Sequence, residues 1–487
     1  MVFNSVGFAL FFPIVFLLYW FVFGKNFKTQ NTLLLFASIV FYCLADWKFI
    51  FLLAFSGFVN FYLAKAIAKK EEGGGRKLLF YSGVVFNVGI LLYFKYFNFF
   101  IQSFVTLFNY SGGSLGFTPF HILLPLGISF FTFQLIGYLI DVNNEEIEPT
   151  SDLLSFFTYL AYFPKILSGP IERVQQFLPR IQKKREFNYS MAVDGLRQFL
   201  WGLFKKVVIA DNLTSVVDFI FENHQNLAGS ILFIGGILYL ISLYADFSGF
   251  TDMACGVSKL LNIKIVNNFA FPFFSTNISD FWKKWHISLT TWMMDYVFTP
   301  LTFVLRKYKK YGLILSVILT FLLVGLWHGA NLTFIVFGVM HGLYFIPLIV
   351  KGSINRNKIV AEGKLIPTFK EVTGMTWLFL LVAITTIFFR AANIGEAFSY
   401  LGNLFSLSLF TLPSSSDISG NGLHPLILVF LVGIFFLIEW VGREGEYAIA
   451  QLGVKWYKPV RWSFYYALIA SIVFLSGSQQ QFIYFQF

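Results

Sequence analysis

The chain has 487 residues, of which 57% are hydrophobic, 21% aromatic and only 13% charged. Soluble domains carry about a quarter charged residues, so this composition excludes an ordinary soluble fold. The net charge of +11 does not indicate nucleic-acid binding, because the basic residues fall in loops between apolar runs and no basic helix carries interleaved aromatic residues.

Apolar runs long enough to cross a bilayer recur along the chain. Runs near or above about 18 residues are too long for barrel strands, so these spans are predicted to be helices. Shorter runs suit tilted or re-entrant helices, which gives about eleven to thirteen helices in an all-α, multi-pass membrane protein. No soluble segment interrupts the chain, so residues 1–487 are expected to form a single integral-membrane domain. The candidate spans are 6–23, 32–45, 49–64, 78–98, 122–140, 152–167, 229–247, 311–328, 332–350, 375–389, 425–441 and 462–477.

Basic residues indicate the orientation of the chain. Clusters of Lys and Arg are typical of cytoplasmic loops. They occur at 25–28, 65–77, 165–185, 306–310 and 351–370. Because both ends of the uncharged run 311–350 are then cytoplasmic, this run is predicted to be a helical hairpin that bends at Gly329–Asn331. A further segment, 190–210, mixes Lys and Arg with apolar residues and predicts a helix lying in the membrane interface.

The stretch VGLWHGANLT, residues 324–333, places a histidine inside this uncharged run. Ionisable groups at membrane depth are costly and mark sites or pathways. Gly329 and Ala330 allow close approach of a substrate, and a neutral imidazole is a suitable base for deprotonating a hydroxyl near neutral pH. We therefore predict that His328 is catalytic and lies toward the outward half of the membrane.

Other residues of the same run complete this prediction. Trp327 offers a rigid wall and Asn331 an amide beside the catalytic histidine. His341 lies on a different face of any continuous helix, so we interpret it as a neutral structural histidine.

A second polar constellation lies in residues 277–300, NISDFWKKWHISLTTWMMDYVFTP. Asn277 or Ser279 can cap a helix start, and the tryptophans recur at helical spacing. A helix that carries so many polar groups is poorly suited to facing lipid. We therefore predict that it lines a water-filled tunnel or the cytoplasmic entrance to one. We predict that its His286 is a second catalytic residue and that Trp285, Thr290 and Asp295 line the tunnel.

A third constellation, YADFSGFTDMA at 244–254, brings Asp246 and Ser248 to the end of a strong span. We predict that both residues line the tunnel. The spacing of Asp246 and Asp252 does not match a metal-binding pair, and no His-Glu-x-x-His motif or cysteine pair for zinc occurs. No metal site is predicted.

Six stretches, in this order, resemble the membrane-bound O-acyltransferase family, in particular its bacterial alginate O-acetylase branch. They are LPLGISFFTFQLIGYLIDV (124–142), YFPKILSGPIER (162–173), YADFSGFTDMA (244–254), FWKKWHISLTTWMMDYVFTPL (281–301), LWHGA (326–330) and FFRA (388–391). The resemblance implies helices around a central tunnel, with the core motifs at about 120–400. It also implies that His328, in the W-H-G motif, is catalytic and that His286, in the W-H-x-S-L motif, is a second important polar residue.

The resemblance further implies an activity. Family members pass an acyl group from a thioester donor, acyl-coenzyme A or an acyl carrier protein, to a hydroxyl through a tunnel, with no bound cofactor. For this chain the expectation is transfer of an acetyl group from the cytoplasm across a bacterial inner membrane for O-acylation of an extracytoplasmic polysaccharide such as alginate. An extracytoplasmic SGNH-type acetyltransferase is the expected partner, besides membrane lipids, and no nucleic acid is expected. His286, if protonated, or Asn331 would stabilise the oxyanion.

Three alternatives stay open at this point. The first is transfer of D-alanyl or another acyl group to a cell-wall polymer. The second is a secondary transporter without chemistry, although the internal repeats common in such folds are not evident in the sequence. A lipid-linked glycosyltransferase is the third, and Asp246 with Asp252 would be a poor acidic site for it.

Overall fold

A computed structural model describes residues 1–114, 116, 122–167, 169–354, 359–413 and 423–483. Arg356 and Lys358 of the predicted basic loop lie outside these residues. Within them the regular elements are helices and no β-strand occurs, which confirms the all-α prediction. The chain divides into two compact units. The first holds the described residues of 1–189, 258–265 and 329–331, and the second holds those of 190–257, 266–328 and 332–487.

The first unit is a set of helices with buried cations between them. Its helices are α1 (Val6–Leu17), α2 (Phe27–Asp46), α3 (Ile50–Ala68), α4 (Gly74–Leu91), α5 (Phe97–Tyr110), α6 (Ile128–Asn143), α7 (Leu153–Ala161), α8 (Phe163–Ile166) and α9 (Val174–Ile181). Lys165 is fully buried, donates to the side-chain oxygen of Gln134 and lies 3.8 Å above the ring of Tyr159. Arg185 is also buried and donates to the Tyr19 hydroxyl at 2.7 Å. The sequence predicted both cations to lie in a cytoplasmic loop. In the structure they are buried and pair with side chains inside this unit.

The second unit contains the two predicted histidine motifs. Its helices are α10 (Tyr189–Phe204), α11 (Asp211–Glu222), α12 (Gly229–Leu260, whose last turn belongs to the first unit), α13 (Ile278–Lys284), α14 (Ile287–Met293), α15 (Thr299–Val304), α16 (Lys309–His328), α17 (Leu332–Tyr344), α18 (Ile346–Val350), α19 (Phe369–Arg390), α20 (Ile394–Leu404), α21 (Pro425–Gly442) and α22 (Lys458–Phe474). In α12, 72% of the most apolar window is buried, against 11% in the stretch Gly74–Tyr110 of the first unit. The helix α12 is therefore a core element of the second unit.

Seven helical stretches among the described residues are long and apolar enough to cross a membrane. Two shorter apolar helices, Val6–Val22 and Ile128–Asn143, accompany them. The prediction of a multi-pass membrane protein is confirmed. The seven stretches are Phe27–Ala68, Gly74–Tyr110, Gly229–Leu260, Arg306–His328, Leu332–Val350, Phe369–Arg390 and Pro425–Gly442.

Helices α16 and α17 form an antiparallel hairpin. The first ends at His328 and the second begins at Leu332, so the predicted bend is confirmed. The helices touch through glycines: a methyl group on Gly325 would lie 2.1 Å from the carbonyl oxygen of Phe334, and one on Gly338 would lie 2.3 Å from that of Phe321. Small residues at these crossings let the two backbones approach closely, as in membrane helix pairs generally.

The prediction of one helix through residues 277–300 is wrong. Asn277 does cap the start, accepting from the backbone N–H of Asp280 at 2.9 Å. The helix α13 then stops at Lys284, and α14 begins at Ile287. The break is stabilised by a distant residue: Asn268 accepts from the backbone N–H of Ile287 at 2.9 Å and, with its side chain, from that of Ser288 at 3.1 Å. No glycine or proline marks this break in the sequence.

The prediction that 190–210 lies in the membrane interface needs correction for the end of the segment. Lys205 and Lys206 are 2% and 3% exposed, so neither reaches an interface. Lys205 pairs with Asp252 at 2.6 Å, and Lys206 pairs with Asp246 at 2.7 Å and with Asp211 at 2.8 Å. Buried ammonium groups need such partners, because desolvation of an unpaired charge is prohibitive. Residues 201–210 are therefore a largely buried wall of the second unit, whereas Val193 and Leu196, earlier in the segment, are exposed.

Candidate active site

His328, the last residue of α16, is buried and lines a small cavity in the second unit. The cavity volume is about 20 Å³. One water molecule needs about 10–15 Å³, so the space suits a water or a ligand group of similar size. Five helices, α12, α13, α16, α17 and α19, contribute to it. The lining residues are Leu240, Leu243, Phe281, Trp282, Trp285, His328, Phe337, His341, Val382, Thr386 and Phe389.

Trp327 lies against both histidines that the sequence singled out. Its indole centroid is 5.0 Å from the ring of His328 and 5.6 Å from the ring of His286, and both contacts are edge-to-face. The ring of Phe389 packs on His328 at 4.9 Å. The structure therefore gathers His286, Trp327 and His328 into one aromatic cluster.

His286 has an unusual backbone conformation. Its φ of 46° and ψ of 52° fall in the left-handed region, which is uncommon for residues other than glycine. The side chain is 1% exposed and packs on Phe247 at 4.8 Å. Burial lowers the pKa of His286 to about 3, so the imidazole is neutral near pH 7. This disfavours a protonated His286 as the oxyanion donor, one of the two options that the sequence suggested. His286 is not among the residues that line the small cavity.

The sequence suggested only a structural role for His341. It lines the same small cavity as His328, because the hairpin turns α17 back along α16. Its Nδ1 accepts a hydrogen bond from the indole N–H of Trp282 at 3.2 Å. The ring of Phe337 lies 4.5 Å from His341 and 6.1 Å from His328. From the bend predicted at Gly329–Asn331, the sequence could have indicated that His328 and His341 lie close together.

Two of the predicted tunnel residues lie on adjoining cavities. Trp285 lines the small cavity and stacks on Phe281 at 5.4 Å. Thr290 donates to the carbonyl oxygen of Trp285 at 3.2 Å and lines a second cavity of about 440 Å³. Trp282 lines both cavities. The larger one is lined by Ser279, Trp282, Lys283, Leu289, Thr290, Met293, Met294, Phe298, Leu313, Val317, Thr320, Phe321, Val324, Phe345, Ile349, Gly352 and Ile354.

Asp246 and Ser248 belong to the buried ionic cluster of α12. Asp246 pairs with Lys206 and also accepts from the backbone N–H of Ile483 at 2.9 Å. Ser248 accepts from the ammonium group of Lys205 at 2.9 Å. Neither residue is among those that line the two cavities. Their contacts are those of residues that hold helices together.

The remaining two predicted residues lie elsewhere. Asp295 is exposed, within the π-helical segment Met294–Phe298, and lines neither cavity. The break at His286 changes the register of the chain, so the helical spacing that grouped Asp295 with His286 does not hold. Asn331 lies in the turn of the hairpin, is half-buried, and is grouped with the first unit.

The segment that carries these histidines matches a known family of membrane proteins. Residues 143–380, which contain all three histidines discussed above, match the model of the membrane-bound O-acyltransferase family. Over 90% of its length the chain is 34% identical to the probable alginate O-acetylase AlgI of Pseudomonas aeruginosa, and the match covers 81% of that protein. The chain belongs to the membrane-bound O-acyltransferase family.

Other relatives of this O-acyltransferase chain carry different names. The peptidoglycan O-acetyltransferase of Helicobacter pylori is 29% identical over 100% of this chain and 98% of that protein. The teichoic acid D-alanyltransferase of Bacillus subtilis is 34% identical over 43% of this chain and 55% of that protein. As a member of the membrane-bound O-acyltransferases, the chain is an acyltransferase, and the prediction of an enzyme is confirmed. The transporter and glycosyltransferase alternatives are dropped.

Proposed function

We propose that the chain passes an acetyl group from a cytoplasmic thioester, acyl-coenzyme A or an acyl carrier protein, to the outer side of a bacterial inner membrane for O-acetylation of a cell-surface polysaccharide. The observation that carries this proposal is the position of His328. It is a buried histidine at the end of an apolar helix, beside a break in the chain, and it lines a cavity of about 20 Å³. Such a site admits a reacting group and excludes bulk water.

The proposed reaction uses His328 as a general base. A neutral ring nitrogen takes the proton of the acceptor hydroxyl while the hydroxyl oxygen attacks the thioester carbonyl carbon. The tetrahedral intermediate collapses, the carbon–sulfur bond breaks, and the departing thiolate receives the proton from the imidazolium. The products are the ester and the free thiol, and His328 returns to its starting state. A positioned general base typically contributes about 10²–10⁴ in rate.

The larger cavity is our candidate for the donor arm. It is mostly apolar, and Lys283 lines it near the end of α13, where a second lysine, Lys284, pairs with Asp280 at 2.8 Å. Trp282 lines both cavities, which supports a path from the larger cavity to His328. A thioester carried on a long flexible arm fits such a path, because its reactive end must reach a site that the carrier itself cannot enter.

We assign His286 a positioning role. It contacts Trp327 and not the small cavity, and Trp327 contacts His328. An edge-to-face pair of rings fixes orientation as well as distance. Through Trp327, His286 would hold the catalytic imidazole in the geometry that attack requires.

The relatives support the choice of acceptor. The matches to the alginate and peptidoglycan enzymes cover most of both chains, whereas the match to the teichoic acid D-alanyltransferase covers 43% of this one. This favours acetyl transfer to a polysaccharide over D-alanyl transfer to a teichoic acid. An extracytoplasmic SGNH-type acetyltransferase would complete the transfer.

The test compares the full chain with His328→Ala and His328→Gln in a bacterial host that lacks its own related enzyme. Acetate and D-alanine released from the cell-surface polymer by mild base are quantified and normalised to the amount of protein in the membrane. We expect ester-bound acetate with the unaltered chain and none above background with either variant. His224→Gln is the matched control, since His224 is also buried in the second unit but lines neither cavity. Unchanged acetate in either His328 variant would refute the base, and D-alanine in place of acetate would refute the acyl group.

A further inference from the structure

The hydrogen bond between Trp282 and His341 fixes where the His341 proton lies. An indole N–H is only a donor, so the Nδ1 atom that it contacts at 3.2 Å must be an acceptor. The neutral imidazole then carries its proton on Nε2. Protonation of Nδ1 would put two hydrogens against each other, so the same contact keeps the ring neutral. His341 can therefore donate from Nε2 but is a poor proton acceptor.

The Nε2 atom of His341 is buried and has no hydrogen-bond partner among the described residues. The residue is fully buried, in a mostly apolar helix. Native proteins almost always satisfy buried donors, and the exceptions call for an explanation such as a bound group. A purely structural histidine would have its N–H satisfied by a carbonyl.

The surroundings of His341 indicate what that group is. Its ring lines the cavity of about 20 Å³ that His328 also lines, and Phe337 packs against both rings. Another polar residue of the lining, Thr386, already donates its hydroxyl hydrogen to the carbonyl oxygen of Ala383 at 2.8 Å. The Nε2–H of His341 is thus a donor still available for a ligand atom beside the catalytic histidine.

We propose that His341 is a second catalytic residue, which donates its Nε2–H to the carbonyl oxygen of the acyl thioester and stabilises the oxyanion formed on attack. The proposal rests on the proposed function, since it needs the thioester carbonyl beside His328. The proton of His341 stays on Nε2 throughout, so the proton transfers through His328 balance as before. Preorganised donors of this kind act strongly in a water-poor site, where no solvent competes for the oxyanion.

The experiment uses the full chain and three substitutions of His341, which differ in whether and where the new side chain offers a hydrogen-bond donor. In His341→Gln the amide nitrogen can take the place of Nε2 and donate. His341→Asn has a shorter side chain whose amide reaches only the Nδ1 position, and His341→Leu has no donor. The rate of ester-bound acetate formation after induction is measured in cells and normalised to the folded protein recovered from the membrane by size-exclusion chromatography.

We expect His341→Leu and His341→Asn to lower the normalised rate by about 10²–10³-fold, the usual loss for one oxyanion donor, and His341→Gln to recover at least about tenfold of this. His224→Leu, the matched loss of a buried imidazole elsewhere in the second unit, should leave the rate near that of the unaltered chain. A rate for His341→Leu within about twofold of the unaltered chain, or a Gln variant as inactive as the Leu variant, overturns the proposal.

A failure of the His341 proposal can be told apart from a failure of the proposed function. If His328→Gln retains activity, the assigned base is wrong, whatever the His341 series shows. If His328→Gln is inactive while His341→Leu is active, the base stands and only the donor role of His341 fails. Should the Leu variant not fold, the difference between Gln and Asn still decides, because both replace the ring by an amide.

Discussion

The imidazole of His286 packs edge-on against the indole of Trp327, with ring centroids 5.6 Å apart. Trp327 in turn packs on His328 at 5.0 Å, so two histidines from separate motifs share one aromatic neighbour. The contact places His286 behind Trp327, outside the lining of the small cavity, which is why we propose a positioning role for it.

This relationship predicts the effect of His286→Asn on activity. Asparagine tolerates the left-handed backbone at this position, so the substitution removes the ring without straining the chain. We expect the normalised rate of acetate transfer to fall by about tenfold, because misplacement of a catalytic group by fractions of an ångström already costs rate. His286→Ala is expected to lose more, since it adds backbone strain. If the transfer rate of the Asn variant lies within about twofold of that of the unaltered chain, His286 has only a packing role.

His286 also predicts a pH dependence of stability. Its pKa is about 3 in the folded chain and ordinarily 6.5. Between these values the unfolded chain binds more protons than the folded one, so this contribution to stability is present above pH 6.5 and is lost as the pH falls toward 3. The Tm of the purified protein in detergent should therefore drop less for His286→Asn than for the unaltered chain between about pH 7.5 and about pH 5. Parallel drops would contradict a neutral, buried His286.

The hairpin contact predicts the effect of Gly325→Ala. The added methyl group would lie 2.1 Å from the carbonyl oxygen of Phe334, so α16 and α17 must separate. We expect a loss of about 1–3 kcal/mol in stability, together with reduced acetate transfer, because His328 and His341 sit on the two helices. Gly433→Ala in α21 is the control, since a methyl group there meets nothing within 4 Å. A Gly325→Ala chain as stable and active as this control would rule out the close crossing.

The ionic cluster predicts that Lys206→Ala is strongly destabilising. It leaves Asp246 and Asp211 buried without the ammonium group that both contact, a change that typically costs about 3–5 kcal/mol. Lys184→Ala removes an exposed ion pair with Glu186 and should cost under about 1 kcal/mol. The comparison is read from Tm and from the yield of folded protein. A Lys206→Ala chain that folds normally but transfers no acetate would instead favour a direct role for Asp246 in the site.

The basic loops predict the sidedness of the hairpin. Cysteines introduced singly at Lys307 and Lys364, in a chain whose two native cysteines are replaced, should both react only with reagents that reach the cytoplasm. A membrane-impermeant maleimide added to intact cells before and after permeabilisation provides the measurement. Labelling of the two positions from opposite sides would contradict the hairpin orientation and with it the placement of His328 toward the outer half.

The helical class, the membrane location and the family could all be determined from the sequence, and the prediction that His328 is catalytic rests on the same kind of evidence. These features depend on local properties: uncharged runs of sufficient length, and a histidine beside Gly329 in a run without charges. The bend after His328 could be located for the same reason. Gly329 and Asn331 interrupt the apolar run, and their effect on the helix depends only on neighbouring residues.

Only the tertiary structure decided which polar residues meet. The break before α14 depends on Asn268, which caps it from another segment, so the spacing of 277–300 alone predicted a continuous helix. Lys206 is buried because Asp246 and Asp211 are there to pair with it, and no local pattern distinguishes it from an interfacial lysine. His341 reaches the cavity of His328 because α17 folds back on α16 with glycines at the crossing. In each case the deciding partner is distant in the chain, and the energy of a buried polar group depends on that partner.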